Sequence, residues 1–243
     1  MRVALILALL PALLHADGLT DLRTTLNQLP ATAAVHGTFE LNSTVTNADD
    51  PSVGGGKASV GFEADDTGLR VVYPKGLLSE ATHEARVASA DPEKPTPVRS
   101  GAGRVHPLDL ADLLDAAAAL NTELINAQLT DARASTFQGK PARLLVIKLN
   151  PRVSKAQSKH MKKMESTMSI WLGADGIPIG GERTFVGKAS FMLMSFEIDQ
   201  NASWTYTRSG DRLVMTHYEE KQKADGLGEH ESSRVEQTVR LEP

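Results

Sequence analysis

The sequence predicts an α+β protein that is mainly β: a curled antiparallel sheet, or half-barrel, covered by one or two helices. Short segments in which apolar and polar residues alternate dominate the second half of the chain, as expected for half-buried strands. Turn-forming stretches such as "ADG", "DQN" and "SGD" separate these segments, which favours successive hairpins. Two leucine-rich segments with helical spacing supply the cover that one face of such a sheet requires.

The first residues have the layout of a secretion signal. Arg2 gives a basic start, Val3–Leu14 an apolar run, and Ala16 or Gly18 a small-residue cleavage site. The apolar run has about 12 residues, whereas about 20 are needed to cross a bilayer, so no transmembrane segment is expected after its removal. We therefore interpret residues 1–16 as a signal peptide and residues 17–243 as a single β-rich domain.

The amino-acid composition limits the cellular locations and the classes of partner that are expected. The chain has no cysteine, which excludes disulfides, a thiol nucleophile and thiolate metal ligands. An exported chain without cysteine is typical of the bacterial envelope, so we expect a periplasmic or secreted bacterial protein. With 26 basic and 30 acidic residues the formal net charge is −4, which argues against nucleic acid as a partner.

The first elements can be placed in order. "GLTDLRTTLNQLP" spaces Leu19, Leu22, Leu26 and Leu29 as one face of a short helix that stops at Pro30. "AVHGTFELNSTV" and "KASVGFEA" then alternate as half-buried strands, and "LRVVYP" is a third strand after a turn. Together these three segments predict an antiparallel meander.

The middle of the chain combines a predicted loop and a predicted helix. Residues 89–105 are rich in Pro, Gly and Ser, and Pro92, Pro95 and Pro97 remove backbone donors, so a mobile loop or lid is expected. "HPLDLADLLDAAAALNTELINA" predicts one long helix that begins at Pro107. Its apolar stripe consists of Leu110, Leu113, Leu114, Ala117 and Leu120, and its solvated face carries Asp109, Asp112 and Asp115.

Two further segments are unusual. "FMLMSFEI" predicts a strand that is apolar on both faces, either because it packs between two layers or because it lines an apolar cavity. "SKAQSKHMKKMES" predicts a basic protrusion between two strands. It is a candidate contact for anionic headgroups or an acidic partner protein, and a solvated loop is the alternative. The basic residues of this candidate partner site are Lys155, Lys159, Lys162 and Lys163.

Catalytic and metal motifs are not recognisable. The sequence contains neither a G-x-S-x-G elbow nor an H-E-x-x-H motif, and "PSVGGGKAS" lacks the first glycine and the final hydroxyl of a phosphate loop. The seven histidines are scattered, without a ligand spacing along one element. We therefore expect no enzymatic activity, no cofactor and no metal site, although an enzyme with a dispersed site stays open as an alternative.

The layout resembles the outer-membrane lipoprotein carrier superfamily, the LolA/LolB-like fold. "DLRTTLNQLPATAAVHGTFEL", a helix followed by an alternating strand, is similar to the way these carriers begin, and the likeness of layout covers most of the mature chain. The resemblance implies an antiparallel half-barrel over a helical lid, with acyl chains held between them. This chain departs from the family in its third-strand region, where "GLRVVYPKGLL" offers only Arg70, Tyr73 and Pro74, and in its aromatic content of 5%. No individual binding residue is therefore carried over.

The sequence thus predicts a non-enzymatic envelope protein that binds an apolar ligand, a lipid or an acyl chain, between sheet and helices. The alternative is a scaffold module with a fully packed interior that docks an envelope protein through its sheet edge or its basic protrusion. The residues predicted to line the apolar site are Phe39, Phe62, Leu110, Leu113, Trp171, Phe191, Met194 and Phe196.

Overall fold

The computed structural model of the chain describes residues 18–47, 54–150, 161–191, 194–226 and 229–243. The predicted signal peptide lies outside the described residues, and so do Lys155 and Lys159 of the predicted basic protrusion.

The described residues form one open antiparallel sheet of ten strands, in the order β3-β2-β1-β10-β9-β8-β7-β6-β5-β4. Consecutive strands pair as hairpins from β4 to β10, and the first strand pairs with the last, so that Phe39 lies opposite Val239. The predicted fold class is confirmed. The strands are β1 (Val35–Asn47), β2 (Gly55–Ala64), β3 (Leu69–Val72), β4 (Gln128–Phe137), β5 (Lys140–Leu149), β6 (Met161–Leu172), β7 (Pro178–Phe191), β8 (Met194–Ser209), β9 (Arg212–Gly226) and β10 (Glu229–Leu241).

Five helices are found in the described residues, more than the one or two expected. α1 packs against α5 and β4, α3 against β2 and β1, α4 against β9 and β3, and α5 against β9, while α2 packs on α3. α2 itself has no buried residue. The helices are α1 (Gly18–Asn27), α2 (Lys75–Ala90), α3 (Pro97–Arg104), α4 (Pro107–Leu114) and α5 (Ala116–Glu123).

Two hydrophobic cores fill the space between helices and sheet. The first joins Leu22 and Leu26 of α1 and Leu120 of α5 to strands β5, β6, β8 and β9. The second joins Leu110 and Leu114 of α4 to strands β1, β2 and β10. Strand β2 shows how the sequence gives rise to these cores. Its buried residues alternate with more exposed ones, so one face of the strand packs against the helices.

The predicted loop at 89–105 is wrong over most of its length, because α2 extends to Ala90 and residues 97–104 form α3. Pro97 occupies the first turn of α3, where its missing N–H is tolerated. The carboxylate of Glu84 in α2 accepts hydrogen bonds from the N–H groups of Val98 (3.2 Å) and Arg99 (2.8 Å). A side chain from a neighbouring helix thus caps α3, which the local sequence does not reveal.

The predicted single helix from Pro107 is two helices, broken at Asp115 (φ −122°, ψ 57°). The Asp115 carboxylate accepts a hydrogen bond from the N–H of Ala118 at 3.3 Å and so caps α5. The predicted apolar stripe is nevertheless confirmed, since all five of its members are buried: Leu110, Leu113, Leu114, Ala117 and Leu120.

Two strand assignments also need correction. "FMLMSFEI" is not one strand, because β7 ends at Phe191, β8 begins at Met194, and these two residues face each other across the hairpin. "DQN", predicted to separate two strands, lies inside the 16-residue strand β8. Lys162 and Lys163 belong to strand β6 rather than to a loop.

No helix in the described part of the chain is long and apolar enough to cross a membrane.

Candidate functional site

A cleft of about 370 Å³ lies between helices α4 and α5 and strands β7–β10, and we call it the aromatic cleft. Its helical wall has an apolar part, formed by Leu113, Ala116 and Leu120, and also carries carboxylates. Its sheet wall carries three aromatic rings and several polar groups. The lining residues are Asp109, Asp112, Leu113, Ala116, Ala119, Leu120, Glu123, Arg183, Trp204, Tyr206, Met215, Tyr218, Glu220, Val235 and Gln237.

The register of the sheet brings the polar and aromatic residues together. Gln237 lies opposite Tyr218, which lies opposite Trp204, which lies opposite Gly181. Residues that face each other across neighbouring strands point to the same side of a sheet, so this row faces the helices. The next row in the same direction contains Val235, Glu220, Ala202 and Arg183.

Gly181 makes room for the Trp204 indole. A Cβ atom at Gly181 would lie 2.7 Å from two carbon atoms of that ring, closer than real contacts allow. The Trp204 ring is near-parallel to Tyr218 (6.5 Å between centroids, 23°) and meets Tyr206 edge-on (6.5 Å, 69°). The cleft therefore has a compact three-ring aromatic wall.

Both tyrosine hydroxyls in this wall are held neutral. Burial raises the pKa of Tyr206 far above its ordinary value, and the nearby charge of Glu123 adds to the effect. Burial also raises the pKa of Tyr218, whose hydroxyl donates a hydrogen bond to the Glu220 carboxylate. Neither hydroxyl is suited to act as a base near neutral pH.

An ion pair marks the boundary of the aromatic cleft. The Arg183 guanidinium on β7 lies 2.9 Å from the Glu123 carboxylate at the end of α5. Both residues also line a second opening of about 360 Å³, the side cleft, so the pair stands between the two spaces and ties α5 to the sheet. The side cleft is lined by Thr122, Glu123, Ile125, Leu149, Asn150, Ser166, Arg183, Phe185 and Gln200.

The charges around the aromatic cleft are unequal. Its described lining has four carboxylates and one guanidinium, that of Arg183. Partial burial raises the pKa of Asp112, and the neighbouring carboxylates of Asp109 and Asp115 raise it further. At neutral pH the cleft is therefore an acidic environment. The four carboxylates are those of Asp109, Asp112, Glu123 and Glu220.

Of the eight residues predicted to line an apolar site, Leu113 lines the aromatic cleft. Phe39, Phe62 and Leu110 are buried in the second core. Phe196 is half-buried on β8 and lies opposite Gly226, away from the residues that line the cleft. The side chains of Phe191 and Met194 lie outside what the structure describes.

Trp171 faces the other side of the sheet. It stands between Ile170 and Leu172, which are both buried in the first core, and alternate residues of a strand point to opposite faces. Its ring packs on Phe137 at 5.3 Å between centroids, and its Nε1–H donates to the Ser135 hydroxyl at 3.4 Å.

The predicted basic site is described only in part. Lys162 and Lys163 are exposed on β6, and the Lys163 ammonium pairs with Glu165 at 2.9 Å. Its role in partner binding stays a prediction.

Sequence reasoning missed most of the cleft. Trp204 and Tyr206 carry a usable signal, because "SWTYT" puts both rings on one face of a strand. Arg183 carries none, since "ERTFVG" does not reveal whether its arginine faces the helices or the solvent. In the described part of the chain, no three His, Asp or Glu side chains are grouped so as to hold a metal ion.

No family model matches the chain, and no curated protein matches it. Among solved structures, a crystal structure of MucB in complex with MucA(peri) overlaps with 91% of this chain and 93% of its own, at 10% sequence identity and a TM-score of 0.21. An overlap of that quality assigns this chain neither a family nor a role.

Proposed function

We propose that this chain is a non-enzymatic binding protein that holds an elongated apolar ligand, such as the acyl chain of a lipid, in the aromatic cleft. The observation that carries the proposal is the cleft itself. Its volume of about 370 Å³ falls in the range of about 300–1,000 Å³ typical of small-molecule sites. Apolar side chains stand on both walls, with Leu113 and Leu120 on the helices and Met215 on the sheet, and a few polar groups adjoin them.

The energetics are adequate for useful affinity. Each methylene removed from water contributes about 0.8 kcal/mol, so ten methylenes contribute about 8 kcal/mol before the cost of association. The polar groups of the cleft then orient the ligand rather than supply most of the affinity.

The polar groups also favour binding over catalysis. The two tyrosine hydroxyls are held neutral, and Arg183 is engaged with Glu123. In the described lining, the Tyr218 hydroxyl is paired with the Glu220 carboxylate, but burial raises the pKa of Tyr218 and keeps the proton on the phenol, so this pair does not supply an activated nucleophile.

The proposed location is the bacterial envelope. It rests on the signal-like start of the sequence and on the absence of cysteine. The open sheet with helices packed against it also supports a relationship with the lipoprotein carriers, whose layout the sequence resembles.

The test combines native mass spectrometry with a variant that fills the cleft. The mature chain, expressed in a bacterial periplasm, is weighed intact and then extracted with organic solvent. We expect a co-purifying lipid-like mass, or binding of added decanol. Ala119→Trp places a large ring in the cleft and should weaken binding at least tenfold, while Ala118→Trp, on the exposed side of the same helix, should leave it unchanged.

An apo mass that no added fatty acid, alcohol or amine shifts would refute the proposal. The alternative of a module that docks a partner protein would then be favoured. Equal binding by the Ala119→Trp and Ala118→Trp variants would also refute it, because the ligand would then lie outside the aromatic cleft.

A further inference from the structure

The charges and rings of the aromatic cleft indicate what its ligand carries. We propose that the ligand is a small amphiphile with an ammonium group attached to its apolar part. This inference rests on the proposed function, because it identifies the polar end of a ligand held in the same cleft.

The described lining of the aromatic cleft has more carboxylates than cations. Carboxylates approach the cleft from several elements: Asp109 and Asp112 from α4, and Glu220 from β9. Glu123 from α5 is the fourth, and it neutralises the one cation of the described lining, Arg183, at 2.9 Å. The remaining carboxylates leave the cleft negative, which favours a cation and disfavours a fatty-acid or phosphate head.

Two of these carboxylates lack a cationic partner in the described part of the chain. Within the described residues, neither Asp112 nor Glu220 has a Lys, Arg or His nitrogen within 4.0 Å. Glu220 accepts one hydrogen bond, from Tyr218. Asp112 is held near two other carboxylates, Asp109 and Asp115, which disfavours its charged form. A bound ammonium would relieve this repulsion.

The aromatic wall of the cleft also favours an ammonium group. Tyr218 is half-buried and lines the cleft next to Glu220, and Trp204 stacks near-parallel to it. Aromatic faces attract ammonium groups, by about 0.5–1 kcal/mol at exposed sites and about 2 kcal/mol or more when water is excluded. A neutral alcohol head gains neither this attraction nor the Coulomb attraction of the carboxylates.

The placement of the tryptophans allows a direct measurement. The chain has two, of which Trp204 lines the cleft and Trp171 lies on the other face of the sheet. In a Trp171→Phe chain, the fluorescence of Trp204 therefore reports on the cleft alone. This chain is titrated at pH 7 with four ten-carbon probes below their micelle concentrations: decylamine, decyltrimethylammonium, decanol and decanoate.

We expect both ammonium probes to bind at least tenfold tighter than decanol, and decanoate to bind more weakly than decanol. Equal binding of decylamine and decanol would overturn the inference and leave the proposed function intact. Tightest binding by decanoate would also overturn it. If none of the four probes binds, the proposed function fails as well.

Two charge-neutral variants locate the effect. Asp112→Asn and Glu220→Gln keep the shape of the cleft, and together they should reduce the preference for decylamine over decanol to less than threefold without changing decanol binding. Glu182→Gln, at an exposed position outside the cleft, is the matched control and should keep the full preference. An unchanged preference in the double variant would overturn the inference. So would binding of a short lysine-containing apolar peptide when both ammonium probes fail, because the occupant would then be a protein segment.

Discussion

At the scale of single residues, Arg212 is the one charged residue that is buried in the described part of the chain. Only 4% of its surface is exposed. Its Nε–H donates to the carbonyl oxygen of Ala33 at 3.0 Å, and one terminal nitrogen donates to that of Leu114 at 3.4 Å. Because Leu114 is the last residue of α4, the cation also meets the negative end of a helix. Arg212 thus connects the start of β9 to α4 and to the segment before β1.

The neighbouring Asp211 holds the same segment from the other side. Its carboxylate accepts hydrogen bonds from the Thr32 hydroxyl and from the N–H of Ala33 at 2.7 Å. These bonds lower the pKa of Asp211 below its ordinary value, with the Thr32 hydroxyl as the largest cause. Both members of the Asp211–Arg212 pair therefore fix the entry to β1.

We predict that Arg212→Lys lowers the free energy of unfolding by about 2–4 kcal/mol, because a single ammonium cannot reach both carbonyls and buried charged hydrogen bonds contribute about 1.5–3 kcal/mol each. Urea denaturation measures the loss. Arg208→Lys, an exposed position on the same hairpin, is the control and should change stability by less than about 0.5 kcal/mol. Similar values for the two variants would contradict the assigned role of Arg212.

At the scale of elements, α3 approaches β2 so closely that backbone meets backbone. A Cβ atom at Gly101 would lie 2.3 Å from the carbonyl carbon and oxygen of Lys57, and one at Gly56 would lie 2.7 Å from the nitrogen of Gly101. Ser43, which accepts a hydrogen bond from Arg104 of α3 at 3.2 Å, strengthens the same contact. Two glycines on facing elements therefore set the distance between helix and sheet.

The same helix offers a matched pair of substitutions. Gly101→Ala should destabilise the protein by about 1–3 kcal/mol or more, because the added methyl group can fit only if α3 moves away from β2. Gly103→Ala has no atom within 4 Å of the added carbon and should stabilise the protein by about 0.5–1 kcal/mol. Thermal melts of both variants measure these changes in stability. An unchanged stability of the Gly101→Ala variant would refute the close contact between α3 and β2.

The helices and strands also show how much of the fold could be predicted from the sequence. Alternation and leucine spacing identified α1, the apolar stripe of α4 and α5, and most of the strands, because each of these patterns is contained within its own segment. Strand β4 was not predicted, because none of its residues is buried and its segment shows no apolar alternation. α3 depends on a cap from Glu84, fourteen residues away, and α2 buries no side chain, so neither leaves a strong local signal. The cleft could be predicted only in part for the same reason. Leu113 belongs to an apolar stripe that the sequence of one helix reveals. Arg183 and Glu220 come together only through the register of separate strands, which the local sequence does not reveal.

At the scale of the whole molecule, the sheet depends on a pairing between the first and the last strand of the chain, β1 and β10. β1 pairs with β2 and with β10, so β10 is the link between β1–β3 and the remaining strands. The second core depends on the same link, because Val239 of β10 packs in it with residues of β1 and β2. Pairings between distant parts of a chain also slow folding.

We predict that the full chain unfolds in a single cooperative thermal transition and that a chain ending at Gly226, which lacks β10, does not. Amide hydrogens of β1 and β2 should exchange about 100-fold faster or more, while those of β6 and β7 keep more of their protection. Hydrogen exchange followed by mass spectrometry makes this comparison, with a chain lacking Pro243 alone as the control. A sharp transition and unchanged protection of β1 in the truncated chain would contradict the proposed link.

The open sheet leaves the ten-residue strand β4 at one edge, next to β5. An unpaired edge of this length can recruit a second chain and start a fibril. Here the register is interrupted between Leu129 and Asp131, and the exposed Arg133 forms an ion pair with Asp131 on that strand. An incoming strand would meet an irregular backbone and would have to strip water from two charges, so we expect the irregularity and the ion pair to disfavour pairing of β4 with a second chain.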